Sequence, residues 1–308
     1  MTSTPPIAIA LHGGSGVLPR SFFTSERETL YREALEACLL LGWQVLEAGG
    51  TCIDAVELTV RGLEDSPLFN AGKGSVLNEN AGIECDAAIM DGAGNAGAIA
   101  GGNSIKNPIS LARKLMEEPD VDFIVGQGVE RFADRFDDIE RVDESYFVIA
   151  QRIEELEEAK AQRKMALDRV KLGTVGAVAL DENGCLAAAT STGGLTNKVI
   201  GRVGDTPIIG AGTYASNATC AVSCTGVGEL FIREVVGHEI SARMKWAGQS
   251  LEYAARDVVF NSLAPIGGIG GLVAVDKDGN LAVEFNSESM YRAWKSRDQD
   301  AQVRIFKD

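Results

Sequence analysis

The chain has 308 residues, with 44 acidic and 29 basic side chains, so its formal net charge is −15. This balance disfavours nucleic-acid binding and docking on anionic membranes, because both need clustered Lys and Arg. The sequence has only two histidines, His12 and His238. It therefore excludes most histidine-rich metal sites and predicts that acid–base catalysis uses another group.

The N-terminal residues and the cysteines bear on location. Residues 1–6 have no basic stretch followed by a long apolar one, and no run of the sequence reaches the roughly 18 apolar residues of a membrane span. The six cysteines are scattered and include no CxxC pair. We therefore expect reduced thiols and a cytoplasmic protein.

The first half of the chain alternates strands with capped helices. A strand is predicted over 7–11, ending at the glycine-rich 12–16, and Ser25 with Glu28 has the capping-box pattern that begins a helix. The other predicted elements are helices over 25–48, 51–63, 107–118 and 129–136, and strands over 86–90 and 96–100. The charged stretch 151–171 has neither Gly nor Pro, and reads as a solvated helix or a loose linker.

The second half begins at Gly173, where the composition changes abruptly. The predicted elements are strands over 174–180, 186–190, 208–211, 219–224, 271–275 and 281–285, and helices over 229–246 and 250–263. The strand pairs read as hairpins, which make antiparallel sheet, and their apolar faces need cover on both sides. The sequence therefore predicts an α+β fold with helices flanking an antiparallel core.

One motif suggests a serine esterase. Residues 12–16, His-Gly-Gly-Ser-Gly, are similar to the loop whose backbone N–H groups form an esterase oxyanion hole. That mechanism needs a GxSxG elbow later in the chain, and the sequence has none. The esterase remains a rival hypothesis, and a non-catalytic binding module is another.

Glycines and small polar residues cluster in the second half. They occupy three segments, 173–176, 190–194 and 225–228, with Arg202 and Asp205 among the glycines of 201–205. Glycine lets the backbone approach a ligand closely, and a threonine hydroxyl can act as a nucleophile or orient one. Arg202 could bind a carboxylate and Asp205 an ammonium, which are the two charged ends of an amino acid.

These segments resemble a known family. Residues 174–181, 188–194 and 201–207 are similar to the signature of the plant-type asparaginase/isoaspartyl peptidase family, whose members are self-cleaving N-terminal nucleophile hydrolases. Residues 12–14, 67–72, 224–229 and 290–294 fit the same family, and its bacterial isoaspartyl peptidases most closely. The resemblance implies a single domain over 1–308, folded as a four-layer αββα sandwich of two stacked antiparallel sheets flanked by helices.

The resemblance also implies a cut between Gly173 and Thr174. It would give an α subunit, 1–173, with a charged tail from about 147 to 173, and a β subunit, 174–308. The freed α-amine of Thr174, with a reference pKa of about 7.7–8.0, can take the proton of its own hydroxyl, so no histidine is needed.

Roles follow from the resemblance, residue by residue. Thr174 is the nucleophile, Thr192 tunes it, and Asn70 orients it. The Thr225 hydroxyl and the Gly226 N–H form the oxyanion hole. Arg202 binds the substrate α-carboxylate, Asp205 binds the α-ammonium, and Gly228 lines the substrate site. The expected substrates are β-aspartyl (isoaspartyl) dipeptides and L-asparagine.

The same resemblance predicts no cofactor for the chemistry, but a structural sodium ion held by backbone carbonyls. The matching residues are Leu63, Glu64, Ser66, Phe69, Ala71 and Lys73, with the Lys73 ammonium pointing away. We expect a dimer of cleaved α/β heterodimers, with neither a nucleic-acid nor a membrane partner. A glycosylasparaginase-like enzyme and a threonine endopeptidase stay open as alternatives of the same fold.

Overall fold

The computed structural model describes residues 5–16, 20–162 and 173–307. The strands are β1 (Ala8–Gly16), β2 (Cys85–Asp91), β3 (Ala96–Gly102), β4 (Phe123–Val125), β5 (Val175–Leu180), β6 (Leu186–Thr192), β7 (Thr213–Ala215), β8 (Cys220–Gly226), β9 (Gly270–Asp276), β10 (Leu281–Phe285), β11 (Ser289–Ser296) and β12 (Gln299–Phe306). The α-helices are α1 (Ser25–Glu47), α2 (Cys52–Asp65), α3 (Pro108–Met116), α4 (Gln127–Ala133), α5 (Ala150–Ala161), α6 (Gly228–Glu234), α7 (Val236–Ala247) and α8 (Leu251–Asp257).

Two sheets stack at the centre of these described residues. The larger has the strand order β12-β11-β1-β5-β6-β2-β3-β4, and the smaller β10-β9-β8-β7. Helices α1, α2 and α3 pack on the outer face of the larger sheet, and α6, α7 and α8 on the outer face of the smaller one. The predicted four-layer αββα sandwich is confirmed. One detail differs, because β3 and β4 pair in parallel while the other pairs are antiparallel.

Side-chain alternation fixes which face of each strand points where. In β5, Val175, Ala177 and Ala179 pack towards the helices, whereas Val178 and Leu180 face the second sheet. Successive side chains of a strand point to opposite faces, so one register sets both layers. Both faces are buried, which explains why β5 reads as a continuous apolar run.

Helix starts were partly predicted from capping residues. Thr51 caps α2 as expected, since its Oγ1 accepts the Asp54 N–H at 3.2 Å. For α1 the cap is Thr24, one residue before the predicted Ser25. Asn107 precedes α3 as predicted but does not cap it, because its side chain donates instead to Asp65 Oδ1.

Two predicted helices of the second half have different shapes. The helix expected over 229–246 is split at Val235, whose φ of 49° lies in the left-handed region. The helix expected over 250–263 is α-helical to Asp257 and continues as a π-helix over Val258–Leu263. Periodicity alone does not report such interruptions, because both pieces keep an apolar face.

Three strand predictions need correction. The segment 208–211 is not a strand; it makes one isolated bridge, Ile209 to Thr213, before β7. The strand predicted over 7–11 does not end at Leu11, because β1 continues through the glycines to Gly16. Strands β11 and β12 were not predicted, and β11 pairs with β1 in the larger sheet.

The charged stretch before Gly173 begins as a packed helix. In α5, Arg152 is buried, and its Nε donates to the Gly74 carbonyl at 2.6 Å. Leu156 packs with Phe147 in a small apolar cluster. Residues 163–172, which hold the rest of the stretch, lie outside the described residues. Within the described ranges, no helix is both long and apolar enough to cross a membrane.

Candidate active site

The layer between the two sheets changes from apolar to polar along its strands. At one end it contains Ala8, Val178, Ala188 and Ala221. Every second residue of a strand lies on the same face. On these same faces, the other end of the layer holds a set of buried polar residues: His12, Thr174, Thr190, Thr192, Ser223 and Thr225. A buried polar group needs a hydrogen-bond partner, so this end of the layer is where a functional site is expected.

A cavity of about 190 Å³ opens at the polar end. Seven of the residues selected from the sequence line it: Asn70, Gly173, Thr174, Thr192, Arg202, Asp205 and Gly226. They come from the 66–74 loop, the start of β5, the end of β6, the 193–212 loop and the end of β8. The structure therefore brings residues that are far apart in the sequence into one pocket.

The Gly173–Thr174 bond is held tightly by two other segments. A Cβ on Gly14 would stand 2.4 Å from the Gly173 nitrogen, and a Cβ on Gly173 would stand 2.5 Å from Thr225 Oγ1. Real Cβ atoms do not come so close to other heavy atoms, so both positions require glycine. The Ser15 N–H donates to Thr225 Oγ1 at 3.2 Å, which leaves the Thr225 hydroxyl proton available to another acceptor.

Thr192 and Asn70 are joined through the backbone of Gly194. Thr192 Oγ1 accepts the Gly194 N–H at 3.0 Å, and Asn70 Nδ2 donates to the Gly194 carbonyl at 2.8 Å. Asn70 Oδ1 also accepts the Val76 N–H at 3.0 Å. The Asn70 amide is therefore fixed on both sides, and it ties the 66–74 loop to the end of β6.

Arg202 and Asp205 lie side by side, as the sequence predicted. Glu229 Oε1 accepts from Arg202 Nε and Nη2, both at 2.9 Å, and so orients the guanidinium. A Cβ on Gly228 would stand 2.9 Å from Asp205 Oδ1 and 3.0 Å from Arg202 Nη2. Gly228 thus lies behind this pair and, among the described residues, is not part of the cavity wall.

Asp205 has a carboxylate oxygen without a partner. Oδ2 is buried and accepts no hydrogen bond from the described residues. Burial raises the pKa of Asp205 to about 7; hydrogen bonding to its own backbone and the charge of Arg202 oppose the rise, and Glu229 and Asp86 add to it. An unpaired buried carboxylate is costly, so this oxygen is suited to receive a cationic group such as an ammonium.

His12 and Ser223 are also within hydrogen-bond distance, Nε2 to Oγ 2.8 Å. Both side chains are fully buried between the sheets, and burial lowers the pKa of His12 to about 3, against a smaller raising effect of the Thr174 backbone. Neither lines the cavity among the described residues. This pair therefore does not have the exposure or basicity that a serine esterase needs.

Backbone carbonyls of residues 63–74 form the predicted sodium site. A Cβ on Gly74 would stand 2.7 Å from the Pro67 carbonyl oxygen and 2.9 Å from that of Phe69, so carbonyls converge there. The Glu64 carbonyl already accepts the Lys73 N–H at 2.7 Å. Lys73 Nζ lies 5.4 Å from the centre of the Tyr146 ring. Carbonyl oxygens suit a hard cation. Of the six residues predicted to hold it, Phe69 contributes one of these two carbonyls, and the carbonyls of Leu63 and Glu64 already accept backbone hydrogen bonds.

Sequence reasoning gave no role to three residues of the site. Ser15 positions Thr225, Glu229 orients Arg202, and Thr206 Oγ1 lies 3.4 Å from Thr174 Oγ1. Alternation along β1 would place Ser15 on the helix side with Ile9 and Leu11, and only the register shift between His12 and Gly14 turns it towards Thr225. The contacts of Glu229 and Thr206 depend on how the 193–212 loop folds back. No cluster of three or more His, Cys, Asp or Glu side chains that could hold a metal ion occurs in the described part of the chain.

Two stacked sheets between helices, with a threonine at the start of a central strand facing a pocket, define an N-terminal nucleophile hydrolase fold. The sequence profile described as Asparaginase matches residues 5–305, and the chain belongs to that family. It is 47% identical to the isoaspartyl peptidase of Escherichia coli (strain K12) over 93% of this chain and 92% of that protein. It is 48% identical to the isoaspartyl peptidase of Salmonella typhimurium (93% and 94%) and 41% identical to the isoaspartyl peptidase/L-asparaginase of Xenopus laevis (94% and 93%). These similarities identify the chain as a hydrolase.

Proposed function

We propose that the chain hydrolyses β-aspartyl (isoaspartyl) dipeptides and L-asparagine after cutting itself before Thr174. The observation that supports the proposal is that Thr174, Arg202 and Asp205 line one cavity, and that Oδ2 of Asp205 accepts no hydrogen bond from the described residues. Both substrate types present one α-carboxylate and one α-ammonium beside a β-carbonyl. The names of the relatives agree with this substrate class.

Self-cleavage would begin when Thr174 Oγ attacks the carbonyl carbon of Gly173. An ester forms, the peptide C–N bond breaks, and the Thr174 nitrogen becomes a free amine. Water then opens the ester and leaves the Gly173 carboxylate. Gly173 is suited to this step because its backbone is packed between Gly14 and Thr225, whose hydroxyl can donate to the developing oxyanion.

Substrate hydrolysis would use the same atoms. The Thr174 amine takes the proton of its own hydroxyl, and Oγ attacks the substrate β-carbonyl. The Thr225 hydroxyl and the Gly226 N–H stabilise the oxyanion, and the amine returns the proton to the leaving nitrogen. Water then releases aspartate from the acyl-enzyme. Thr192 and Asn70 hold the surrounding backbone through Gly194.

The remaining expectations are proposals of the same kind. We propose a sodium ion at the carbonyls of the 63–73 loop, a dimer of cleaved heterodimers with a mass about twice 32.6 kDa, and a reducing, cytoplasmic location. The free thiols of all six cysteines support the last point. Comparing the Tm in a sodium salt with the Tm in the salt of a bulky organic cation tests the sodium site. Sedimentation of the purified protein tests the dimer.

Mass spectrometry of the purified protein is the direct test of the function. We expect fragments that end at Gly173 and begin at Thr174, and hydrolysis of both substrate types. Thr174→Ala should remain one uncut chain without activity. Full activity in an uncut chain, or hydrolysis by Thr174→Ala, would show that another residue attacks. Activity on glycosylated asparagine or on ordinary peptides alone would favour the glycosylasparaginase or endopeptidase alternative.

A further inference from the structure

A chain of buried polar side chains crosses the layer between the two sheets and ends at Thr174. It starts at His12 on β1, passes through Ser223 on β8 and Thr190 on β6, and reaches Thr213 on β7. All four side chains have no exposed surface. Apolar residues fill the opposite end of this layer, so polar groups that are not needed there would be a net cost.

The separations are short and continuous. His12 Nε2 lies 2.8 Å from Ser223 Oγ, Ser223 Oγ 2.8 Å from Thr190 Oγ1, and Thr190 Oγ1 2.6 Å from Thr213 Oγ1. Thr213 Oγ1 also lies 3.0 Å from the Thr206 carbonyl oxygen, and its single proton can go there when Thr190 Oγ1 donates to Thr213. The chain thus binds the backbone of Thr206.

Thr206 is the link to the nucleophile. It is fully buried, lines the cavity, and its Oγ1 donates to Thr174 Oγ1 at 3.4 Å. This separation is longer than a usual O–H···O bond, as is common before a catalytic site is occupied by substrate. A hydroxyl oxygen that accepts from Thr206 keeps its own proton free for the α-amine.

We propose that Thr206 is a positioning residue, held by the chain from His12 to Thr213, that sets the rotamer of the Thr174 hydroxyl. The inference rests on the proposed function, because it assumes that Thr174 is the nucleophile. The chain connects β1, β6, β7 and β8, so it couples both sheets to one hydroxyl. Its role is the placement of an oxygen and not the transfer of a proton, since the chain reaches Thr206 at its carbonyl oxygen, which has no proton to pass on.

The first test compares two substitutions of Thr206. Thr206→Val keeps the shape and removes the hydroxyl, and we expect about a tenfold loss of kcat on L-asparagine, and of the self-cleavage rate, with KM changed less than about twofold. Thr206→Ser restores the hydroxyl and should return both rates to near wild type. A structural defect alone would not be rescued in this way.

The matched control is Thr219→Val. Thr219 Oγ1 lies 2.6 Å from Ser241 Oγ, and both are buried away from the cavity. This variant loses a buried hydroxyl pair as Thr206→Val does, so the two should lower Tm similarly. Only Thr206→Val should lower kcat.

A double-mutant cycle tests the chain itself. Thr213→Val removes the donor to the Thr206 carbonyl and should lower kcat in the same direction, by a smaller factor. Combined with Thr206→Val, its loss should be smaller than the product of the two single losses, because both act through one hydrogen-bonded path. Thr206→Val with Thr219→Val should give the full product.

The outcomes separate this inference from the proposed function. If the wild-type protein cuts itself and hydrolyses substrate while Thr206→Val matches it, the positioning role is wrong and the function stands. A loss that appears in KM alone, or that Thr206→Ser does not repair, also overturns the role. If the wild-type protein neither cuts itself nor hydrolyses either substrate, the proposed function fails, and the inference fails with it.

Discussion

Gly14 and Gly173 are in backbone contact: a Cβ on Gly14 would lie 2.4 Å from the nitrogen and 2.6 Å from the oxygen of Gly173. The glycine-rich end of β1 is therefore the surface against which the peptide before Thr174 rests. The His-Gly-Gly motif therefore does not require an esterase mechanism, because its glycines let the backbone of β1 approach the backbone of Gly173 closely.

We predict that Gly14→Ala blocks self-cleavage. The new methyl group must displace the Gly173 carbonyl, and the φ of 106° at Gly14 is unfavourable for alanine. Denaturing gels should show the uncut chain of 32.6 kDa. Gly94→Ala is the control, since Gly94 has a φ of 105° with nothing within 4 Å of a Cβ. Normal cutting in Gly14→Ala, or a block in both variants, would contradict the contact argument.

A second prediction concerns Arg202. Arg202→Ala should lower kcat/KM by about 10- to 100-fold, because charge-assisted hydrogen bonds contribute about 1.5–3 kcal/mol. Arg202→Lys keeps the charge but loses the planar fork, so an intermediate loss is expected. Glu229→Gln keeps an oxygen that can accept from Arg202 Nε and should have a smaller effect.

Steady-state kinetics on a β-aspartyl dipeptide give the measurement for these variants. The loss in Arg202→Ala should appear mainly in KM. An unchanged kcat/KM, or a decrease confined to kcat, would show that Arg202 does not hold the substrate carboxylate.

The third prediction is a pH dependence of binding. Burial raises the pKa of Asp205 to about 7, and only its charged form attracts an ammonium. Binding of L-aspartate, which carries both α groups, should therefore weaken about tenfold as pH falls from about 8 to about 6. Calorimetric titration measures this. In Asp205→Asn the pH dependence in this range should disappear; if it persists, another group carries it.

A fourth prediction concerns stability and Glu64 beneath the site. Glu64 Oε1 accepts from Ser191 Oγ at 2.6 Å and from the Ile109 N–H at 3.0 Å. Burial nevertheless raises the pKa of Glu64 to about 8 from an ordinary 4.5. The protonated Glu64 carboxyl therefore stabilises the folded protein fully at pH values below its ordinary pKa of 4.5. This stabilisation is lost as pH rises through about 8.

Glu64→Gln keeps an accepting oxygen without the ionisation. Its Tm should be close to wild type near pH 4, and should exceed it by a growing margin as pH rises from there to about 8. Thermal melts at several pH values provide the comparison. Equal slopes of Tm against pH in both proteins would show that Glu64 does not titrate in this range.

The sequence by itself determined most of the local elements and the list of site candidates. Thr51 caps α2 as predicted, because capping involves neighbours in the chain. The apolar runs around Val178 predicted buried strands for the same reason. Family motifs then selected Thr174, Arg202 and Asp205, and the structure places all three in one cavity.

The tertiary structure alone decided the contacts between distant segments. That β1 extends to Gly16 depends on pairing with β11. Beside the break at Val235, the N–H groups of Gly237 and His238 donate to the carbonyls of Ala211 and Gly210, a contact between distant segments that periodicity does not report. The placement of Thr206 beside Thr174 depends on a hydrogen-bonded chain through both sheets. Local sequence determines the backbone conformation of residues that are adjacent in the chain. These contacts, in contrast, form only when the strands pair in the observed order and register.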